Sequence, residues 1–415
     1  MLEDALVRLY ARIPLGMRLG LEPMREACAR FGHPERAFES VHVAGTNGKG
    51  SVCAMVESIA RDDGRKTGMF TSPHLCRFAE RIQVAGEPVD DATLTATLVR
   101  ALDGAPELSF FETATLAAFL AFREASVDLA IVEVGIGGRL DATNVLPRPR
   151  AAAITRVALD HTDRLGTTLV DIGREKAGIA KPGLDIVLGP LPAAVREAVD
   201  AVARDHGATT TPAGEGAAVD RIGLDGEYQR DNARVAATLG ERIGASRASI
   251  ERGLRSVRWP GRLERIDIAS SAAAARGLRL DAVPTRGFLL DAAHNPDGAE
   301  ALARHLRSLA IAPDQVALVF GTLGDKDWAG MLDAVAPLAT RRVYVAPQGG
   351  SRSAIDPAAL AARHAGVVAA SVADAVSRAC EGGRPSLVVI AGSLVLVGEA
   401  RALLLALPRD PPVAL

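Results

Sequence analysis

Short apolar runs alternate along this chain with segments in which apolar residues recur every three or four positions. The short runs are typical of buried strands, and the longer periodic segments are typical of helices that cover a sheet. Their alternation predicts an α/β fold with mainly parallel strands. Strands are predicted near residues 40–44, 127–134, 151–157, 185–189, 287–291, 315–321, 341–346 and 387–391.

Two segments have a clear helical period. The first begins after a Gly-rich turn and ends at Gly64, and the second begins after Pro296. The apolar positions that share one face are Val52, Met55, Val56 and Ile59 in the first helix, and Leu302, Leu306 and Leu309 in the second. This spacing predicts amphipathic helices.

The length of 415 residues predicts two domains, because single cores rarely grow to that size. A Trp259-Pro260-Gly261 break ends a helical stretch and places the boundary, with a first domain over 1–258 and a second over 259–415. Residues 209–218 and 270–277 are small and polar, and we expect both to be loops. No internal repeat is visible.

Composition excludes several classes of partner. Aromatic residues make up 4% of the chain and the net charge is −2, which argues against a nucleic-acid-binding surface. The four cysteines are widely spaced, so neither a zinc site nor a disulfide framework is predicted, and a reducing cytoplasm is expected. We see no signal peptide and no membrane-spanning apolar run.

The most informative segment is a Gly-rich turn between a predicted strand and a predicted helix. Such a turn points main-chain N–H groups at an anion, and the helix adds the positive end of its dipole. The segment departs from the general phosphate-loop pattern, so a tight turn with a surface lysine is the alternative interpretation. Its residues are Gly45, Thr46, Asn47, Gly48, Lys49, Gly50 and Ser51.

Lysine is scarce in this chain. Of 48 basic residues only five are lysines, so arginine supplies most of the surface charge. A retained lysine is a candidate for work that a planar guanidinium does not do. We single out Lys49 and Lys176 on this ground, with chance survival as the alternative.

Charged residues follow several of the predicted strands. Glu133 ends one strand and Asp160-His161 follows the next, which places them at the edge of a parallel sheet where ligands bind. A carboxylate there suits Mg²⁺, although a surface acid or a structural histidine is the simpler alternative. In the second domain the turns at 291–296 and 321–327 carry similar groups, which capped helix starts would also explain.

With these residues in view, the chain resembles the folylpolyglutamate synthase/dihydrofolate synthase family, a branch of the Mur ligase superfamily. The resemblance extends over nearly the whole length. It rests on the ordered motifs at 42–51, 71–75, 133–144, 160–161, 175–179, 232–233, 260–264, 291–298 and 325–327.

The resemblance implies an N-terminal P-loop ATPase domain of the Mur ligase type with a mainly parallel sheet, and a C-terminal Rossmann-like α/β domain. It also implies an ATP-dependent amide ligase. A folate carboxylate would attack the γ-phosphate of ATP, and the amine of L-glutamate would then displace phosphate from the acyl phosphate. The implied cofactors are ATP and Mg²⁺, with a second Mg²⁺ and a carbamylated Lys176.

The resemblance also carries roles over to particular residues. Lys49, Lys176 and His294 are implied as catalytic. The ATP contacts are residues 45–51 with Asn232, Arg262 and Asp291; the metal ligands are Ser72, Glu133, His161 and Lys176; and the folate contacts are Arg77, Phe111 and Asp141.

The motifs look like the bacterial bifunctional branch, which also adds the first glutamate to dihydropteroate. Three alternatives remain: a folylpolyglutamate synthase alone, a Mur-type ligase acting on another carboxylate, and a nucleotide-regulated switch. The expected partners are small molecules, with neither nucleic acid nor membrane, and we expect a monomer.

Overall fold

The structure is a computed structural model and describes residues 1–13, 20–214, 221–269, 278, 283–324, 326–348, 353–381 and 385–410. The chain folds into two compact units. Unit 1 comprises Met1–Ser72, Ala79–Gly223 and Tyr228–Arg258, and unit 2 comprises Pro73–Phe78, Leu224–Glu227 and Trp259–Leu415. Two short segments of the predicted first domain therefore pack with the second.

The helices of unit 1 are α1 (Leu2–Tyr10), α2 (Glu22–Arg30), α3 (Lys49–Asp62), α4 (Asp91–Gly104), α5 (Phe110–Glu124), α6 (Thr162–Leu165), α7 (Leu169–Ala177), α8 (Ala193–Asp205), α9 (Tyr228–Arg242) and α10 (Arg247–Ser256). Its strands are β1 (Glu39–Ala44), β2 (Thr67–Phe70), β3 (Ile82–Val84), β4 (Glu87–Pro88), β5 (Leu129–Glu133), β6 (Ala151–Ile154), β7 (Asp185–Leu188) and β8 (Thr209–Pro212).

These eight strands form one sheet in the order β4-β3-β2-β5-β1-β6-β7-β8. Along this order all pairs from β2 to β8 are parallel, and β3 and β4 add an antiparallel edge. Every residue of β5 is buried, as are five of the six in β1. Strands that are buried on both faces are mainly apolar in sequence, and this is why both strands could be predicted. The carboxyl ends of β2, β5, β1 and β6 therefore lie side by side along one edge of the sheet.

Helix α3 differs from the amphipathic helix that the sequence predicts. All residues from Ser51 to Ala60 are buried, including the polar Ser51, Glu57 and Ser58. The one-face pattern fails because α9 and α10 both pack on α3, so the face that was expected to meet solvent is covered. Glu57 is satisfied there by the Thr67 hydroxyl, which donates to its Oε1 at 2.7 Å.

Unit 2 contains a second sheet, in the order β13-β12-β11-β14-β10-β9, parallel except for the pair of β10 with β9. Its strands are β9 (Glu264–Ile266), β10 (Phe288–Asp291), β11 (Val316–Phe320), β12 (Arg341–Tyr344), β13 (Val367–Val368) and β14 (Leu387–Ala391). Its helices are α11 (Pro296–Ser308), α12 (Trp328–Val335), α13 (Pro357–Arg363), α14 (Val372–Ala379) and α15 (Leu394–Leu405).

The two-domain α/β fold with mainly parallel sheets is confirmed, and so are the eight predicted strands. The prediction of a loop over 209–218 is wrong at its start, where β8 forms an edge strand. Threonine is common in strands, and an edge position tolerates the polar, half-exposed run that made this segment look like a loop. Residues 215–218 and 270–277 of the two predicted loops, and residue 325 of the predicted turn at 321–327, lie outside the described residues.

The segment Pro73–Phe78 is held in unit 2 by hydrogen bonds and by close packing. The Cys76 thiol donates to the Gly398 carbonyl at 3.4 Å, and the Phe78 N–H donates to the Asp410 carboxylate at 2.5 Å. A Cβ on Gly398 would lie 2.1 Å from the Leu75 carbonyl oxygen, so only glycine permits this approach. Segment 73–78 is thus a packed part of the unit 2 structure.

Candidate active site

The Gly-rich turn lies between β1 and α3 at the switch point of the sheet, where the connection from β1 leads to β2 on one side and the connection from the neighbouring β6 leads to β7 on the other. Gly45 and Gly48 adopt φ values of +150° and +90°. In the described part of the chain no side chain caps the start of α3, and its first turn carries no acid. The first amide groups of the helix are therefore available to an anion.

Both glycines are required by close neighbours as well as by their backbone angles. A Cβ on Gly45 would lie 1.9 Å from Thr155 Oγ1, and a Cβ on Gly48 would lie 2.4 Å from Asn232 Oδ1. Thr155 in turn donates its hydroxyl to the Asn47 carbonyl at 2.7 Å. Helix α9 and the segment after β6 thus fix the path of the turn.

Lys49 folds back over this turn. Its Nζ donates to the Thr46 carbonyl at 3.0 Å and lies 3.8 Å from Glu133 Oε1. The side chain is 15% exposed, so the cation is accessible but partly screened from water. A point charge held above free helix amides is suited to bind the terminal phosphates of a nucleotide.

Glu133 ends β5 and lies at the neighbouring position of the sheet edge. Its residue is 4% exposed, and its Oε2 accepts a hydrogen bond from the Ser72 main-chain N–H at 3.1 Å. Ser72 follows β2, which pairs with β5, so the sheet itself brings these two predicted metal ligands together.

The groups around Glu133 fit a magnesium site in which phosphates and water complete the coordination shell of the ion. No group of three or more His, Cys, Asp or Glu side chains is close enough to hold a metal ion among the residues that the structure describes. Mg²⁺ is commonly held by one or two carboxylates together with substrate phosphates. The proximity of Glu133 to Lys49 and the phosphate turn meets that requirement.

Asp160 and His161 follow β6 at the same edge. The Asp160 carboxylate accepts the His161 main-chain N–H at 3.0 Å, and the imidazole Nε2 lies 3.9 Å from the same oxygen. His161 adopts a left-handed backbone conformation at φ +50°, which is uncommon for a residue with a side chain and marks a constrained position.

Lys176 ends α7 and is only 2% exposed. Burial, and to a smaller extent the charge of Lys49, lower the pKa of its ammonium from 10.5 to about 7, whereas Asp160 and Asp141 act in the opposite direction. Lys176 therefore belongs to the same group of charges as Lys49 and Asp160. An amine with a pKa near 7 is substantially neutral under ordinary conditions.

The loop after Glu133 packs against an aromatic ring. Phe111 packs against it, since a Cβ on Gly135 would lie 2.5 Å from the Phe111 ring, and the rings of Phe70 and Phe111 are 5.8 Å apart. Asp141 is 4% exposed and does not point freely into solvent as an open acceptor would. Its carboxylate accepts hydrogen bonds from within the same loop, so its role includes holding that loop in shape.

Asn232 is oriented by a neighbour that the sequence analysis missed. Its Nδ2 donates to Gln229 Oε1 at 2.8 Å, which leaves Oδ1 facing Gly48. Gln229 is fully buried and donates in turn to the Ser51 hydroxyl at 3.3 Å. Because Gln229 and Asn232 are three positions apart on α9, helical spacing would have identified the pair.

Of the predicted site residues, Arg77, Arg262, Asp291 and His294 lie in unit 2. The Asp291 carboxylate accepts main-chain N–H groups from Leu263 and Ala293, both at 3.0 Å, which fixes the turn that follows β10. His294 lies in that turn, and its Nδ1 is 3.0 Å from the Ala292 carbonyl, so Nδ1 carries a proton. The ligand roles of these four residues remain predictions.

No helix in the described ranges has both the length and the apolar character needed to cross a bilayer. The four cysteines are free and buried.

Two family models match the chain. Residues 43–185 match the Mur ligase middle domain, and residues 278–394 match the glutamate ligase domain of Mur ligases. The first match contains the phosphate turn, Glu133 and Lys176, and the second contains Asp291 and His294.

Curated relatives match most of the chain. A Mycobacterium tuberculosis dihydrofolate synthase/folylpolyglutamate synthase is 36% identical over 92% of this chain and 88% of that protein. A probable bifunctional folylpolyglutamate synthase/dihydropteroate synthase of Halobacterium salinarum is 35% identical over 93% of this chain. This chain spans about half of the Halobacterium protein, 49% of its length.

Solved structures agree with this relationship. The Yersinia pestis bifunctional folylpolyglutamate synthase/dihydrofolate synthase complexed with AMPPNP and Mn ion superimposes with a TM-score of 0.83 at 29% identity, covering 97% of both chains. Escherichia coli FolC in complex with DHPP and ADP gives a TM-score of 0.81 at 30% identity and 94% coverage of both chains. The chain belongs to the folylpolyglutamate synthase/dihydrofolate synthase family of ATP-dependent Mur ligases.

Proposed function

We propose that this chain joins L-glutamate to folate carboxylates at the expense of ATP, both converting dihydropteroate to dihydrofolate and extending tetrahydrofolates with γ-linked glutamate. The observation that carries the proposal is the convergence of a phosphate turn, Lys49 and Glu133 at one sheet edge in a member of this family. The related structures hold nucleotide, Mn ion and DHPP, which supports the same substrate classes here.

The reaction has two balanced steps. An acceptor carboxylate oxygen attacks the γ-phosphorus of ATP, the bond to the bridging oxygen breaks, and ADP leaves. The amine of L-glutamate then attacks the acyl phosphate carbon, and inorganic phosphate leaves as the amide forms and the amine loses its proton. Charge neutralisation and alignment dominate such phosphoryl transfer.

Unit 1 supplies the groups for the first step. The turn and the free amides of α3 bind the β- and γ-phosphates, and Lys49 neutralises charge on the transferred group. Asn232, held by Gln229, presents its oxygen toward the turn and limits where the nucleotide lies.

Glu133, with Ser72 and His161, would hold a divalent metal ion. Such an ion neutralises phosphate charge and polarises the transferred group when it is bound. Glu133 is already oriented by the Ser72 main chain, so little reorganisation of the protein is needed when the ion binds.

We also propose that Lys176 is carbamylated and adds a second anionic ligand. Carbon dioxide reacts with the neutral amine, and the lowered pKa, about 7, makes that form abundant at neutral pH. The product is a carbamate, formed as the amine nitrogen binds the carbon and loses a proton. Burial of the side chain protects the adduct from water.

On the acceptor side we assign Phe111 and Asp141 to the pterin. The packing of Phe111 against Gly135 places an aromatic face beside the loop that follows Glu133, which supports this assignment. We propose that the enzyme is a monomer and works in the cytoplasm, where free cysteines such as these four persist.

The deciding experiment is glutamate-dependent phosphate release with Mg²⁺ and ATP. We expect release with dihydropteroate and with tetrahydrofolate as acceptors, and no release when acceptor or glutamate is omitted. Activity with tetrahydrofolate alone would reduce the function to a folylpolyglutamate synthase. A preference for a cell-wall precursor carboxylate would favour the Mur-type alternative, and release without either co-substrate would favour a nucleotide-regulated switch.

A further inference from the structure

A buried hydrogen-bond chain joins strand β1 to the loop that follows Glu133. His42 Nε2 lies 2.8 Å from Thr143 Oγ1, and the same hydroxyl lies 2.5 Å from Asp141 Oδ1. His42 and Thr143 are fully buried, and Asp141 is 4% exposed. Neither His42 nor Thr143 has a role in the two reaction steps.

The direction of each hydrogen bond follows from the remaining partners of Asp141. Its Oδ1 accepts the Thr143 main-chain N–H and its Oδ2 accepts the Ile136 main-chain N–H, both at 3.0 Å. Burial raises the pKa of this carboxyl, whereas the hydrogen bonds that its two oxygens receive act in the opposite direction. With N–H donors already directed at both oxygens, the carboxyl group of Asp141 is placed as an acceptor for the Thr143 hydroxyl. The single hydroxyl hydrogen of Thr143 therefore points to Asp141, so His42 is the donor to Thr143.

This direction fixes the tautomer of His42. Burial lowers the pKa of its imidazole to about 3, so the ring is neutral and carries one proton. That proton is on Nε2, which leaves Nδ1 without one. Nδ1 is buried and has no hydrogen-bond partner among the residues that the structure describes, in agreement with a tautomer that offers no N–H there.

The hydrogen-bond chain ends at Asp141, beside the proposed acceptor side of the site. Ile136, whose N–H binds Asp141, belongs to the turn in which Gly135 contacts the Phe111 ring. Without the Thr143 hydroxyl, Asp141 would lose a donor from one oxygen and gain freedom to rotate. The turn beside Phe111 would lose part of its support as a result.

We propose that His42 and Thr143 are positioning residues that set the orientation of Asp141 and of the turn it holds, and so govern binding of the acceptor rather than of ATP. The inference rests on the proposed function for the identity of the acceptor. The hydrogen-bond chain itself stands independently of that function.

Paired variants of Thr143 and His42 test the proposal. Thr143→Val removes the hydroxyl at nearly constant shape and Thr143→Ser keeps it; His42→Leu removes the donor and His42→Gln keeps an N–H of similar reach. We expect Thr143→Val and His42→Leu to raise the KM for dihydropteroate about tenfold, the size of one lost hydrogen bond. The Ser and Gln variants should stay within about twofold, and the KM for ATP should be unchanged throughout.

Thr97→Val is the matched control, since Thr97 is also fully buried but its hydroxyl, among the residues that the structure describes, bonds only to carbonyls of its own helix α4. It should leave both KM values unchanged. Equal rises in the KM for ATP and for dihydropteroate, or losses of the same size in Thr143→Ser, would show a merely structural role and overturn the proposal.

Nitrogen-15 spectra of histidine-labelled wild-type protein provide a readout that does not depend on activity. We expect a neutral His42 protonated at Nε2 down to about pH 4, with its Nε2 shift altered in Thr143→Val. A proton on Nδ1 would refute the hydrogen-bond chain whatever the enzyme does. If wild-type protein shows the expected tautomer but is inactive on folates, the proposed function and the acceptor role are refuted. The hydrogen-bond chain itself is then still supported.

Discussion

Lys49 Nζ and Glu133 Oε1 lie 3.8 Å apart across the carboxyl ends of β1 and β5. The two strands pair in parallel, so the opposite charges face each other at one edge of the sheet. At this distance from Glu133 the Lys49 ammonium also donates a hydrogen bond to the Thr46 carbonyl. Glu133 therefore remains close to the place where phosphates would lie. The proposed phosphate-binding cation and the proposed metal-binding carboxylate are thereby held close together.

Replacing Lys49 by Ala should reduce the kcat of glutamate ligation by about a hundredfold to a thousandfold, the usual cost of one lost charge-stabilising donor. The melting temperature should change little, because the side chain lies at the site and not in a core. Lys66→Ala is the control, since Lys66 is an exposed lysine close in the chain. Phosphate-release rates within a few-fold of wild type would remove Lys49 from the catalytic machinery.

Replacing Gly48 by Ala should abolish measurable ATP binding as well as lower stability. Gly48 and Gly64 have similar backbone angles, φ +90° and +86°, but only Gly48 has a neighbour, Asn232 Oδ1, at 2.4 Å from an added Cβ. Gly64→Ala therefore carries the backbone strain alone, of order 1 kcal/mol. Calorimetric titration with ATP should show normal affinity for Gly64→Ala; equal affinity in the two variants would contradict the close-packing argument.

The ionisation of Lys176 should appear in the stability of the metal-free protein kept without carbon dioxide. Its folded-state pKa is about 7 and its reference value 10.5, so between these pH values the unfolded chain binds the extra proton. The free energy of unfolding should therefore rise with pH across this window. Lys176→Met should lack that rise and be more stable at pH 7, by of order a few kcal/mol.

Urea unfolding of both proteins at several pH values measures this difference, because other groups cancel between them. If the free energy of unfolding changes with pH in the same way for wild type and Lys176→Met, burial does not lower the pKa of the Lys176 ammonium. The carbamate proposal would then lose its chemical basis.

The carbamate makes a separate prediction. Lys176→Ala should be nearly inactive, and acetate or another short carboxylic acid should restore part of the activity by replacing the missing carboxylate. Carbon-13 spectra of wild-type protein in labelled bicarbonate should show a carbamate signal that Lys176→Ala lacks. An unmodified ammonium under those conditions would rule the carbamate out.

Much of the fold was predictable because the buried strands of both sheets are apolar along most of their length. The Val- and Ile-rich runs of β5, β11 and β14 are buried on both faces and leave no ambiguity. Strands such as β8 were missed because an edge strand needs little apolar sequence. The burial of α3 on all sides also escaped prediction, since it depends on helices that lie far along the chain.

The site was predictable where a residue's position relative to a strand end determines its place. Glu133 and Lys49 are of this kind, because Glu133 ends β5 and Lys49 follows the end of the parallel neighbour β1. Gln229 and the chain from His42 to Asp141 were not, because each depends on one side chain reaching another across the tertiary structure. Whether Asp141 contacts a ligand directly stays a prediction.

Segment 73–78 has a consequence for protein engineering. Its residues fill a place in unit 2 that is lined by Gly261, Gly398 and Asp410, although unit 1 precedes and follows them in the chain. A gene fragment starting at residue 259 would encode unit 2 without segment 73–78. The surface that this segment covers would then be exposed. The two units therefore cannot be exchanged by a single cut in the gene. A chimera with a related ligase would have to take segment 73–78 and the unit 2 residues that contact it from the same parent protein.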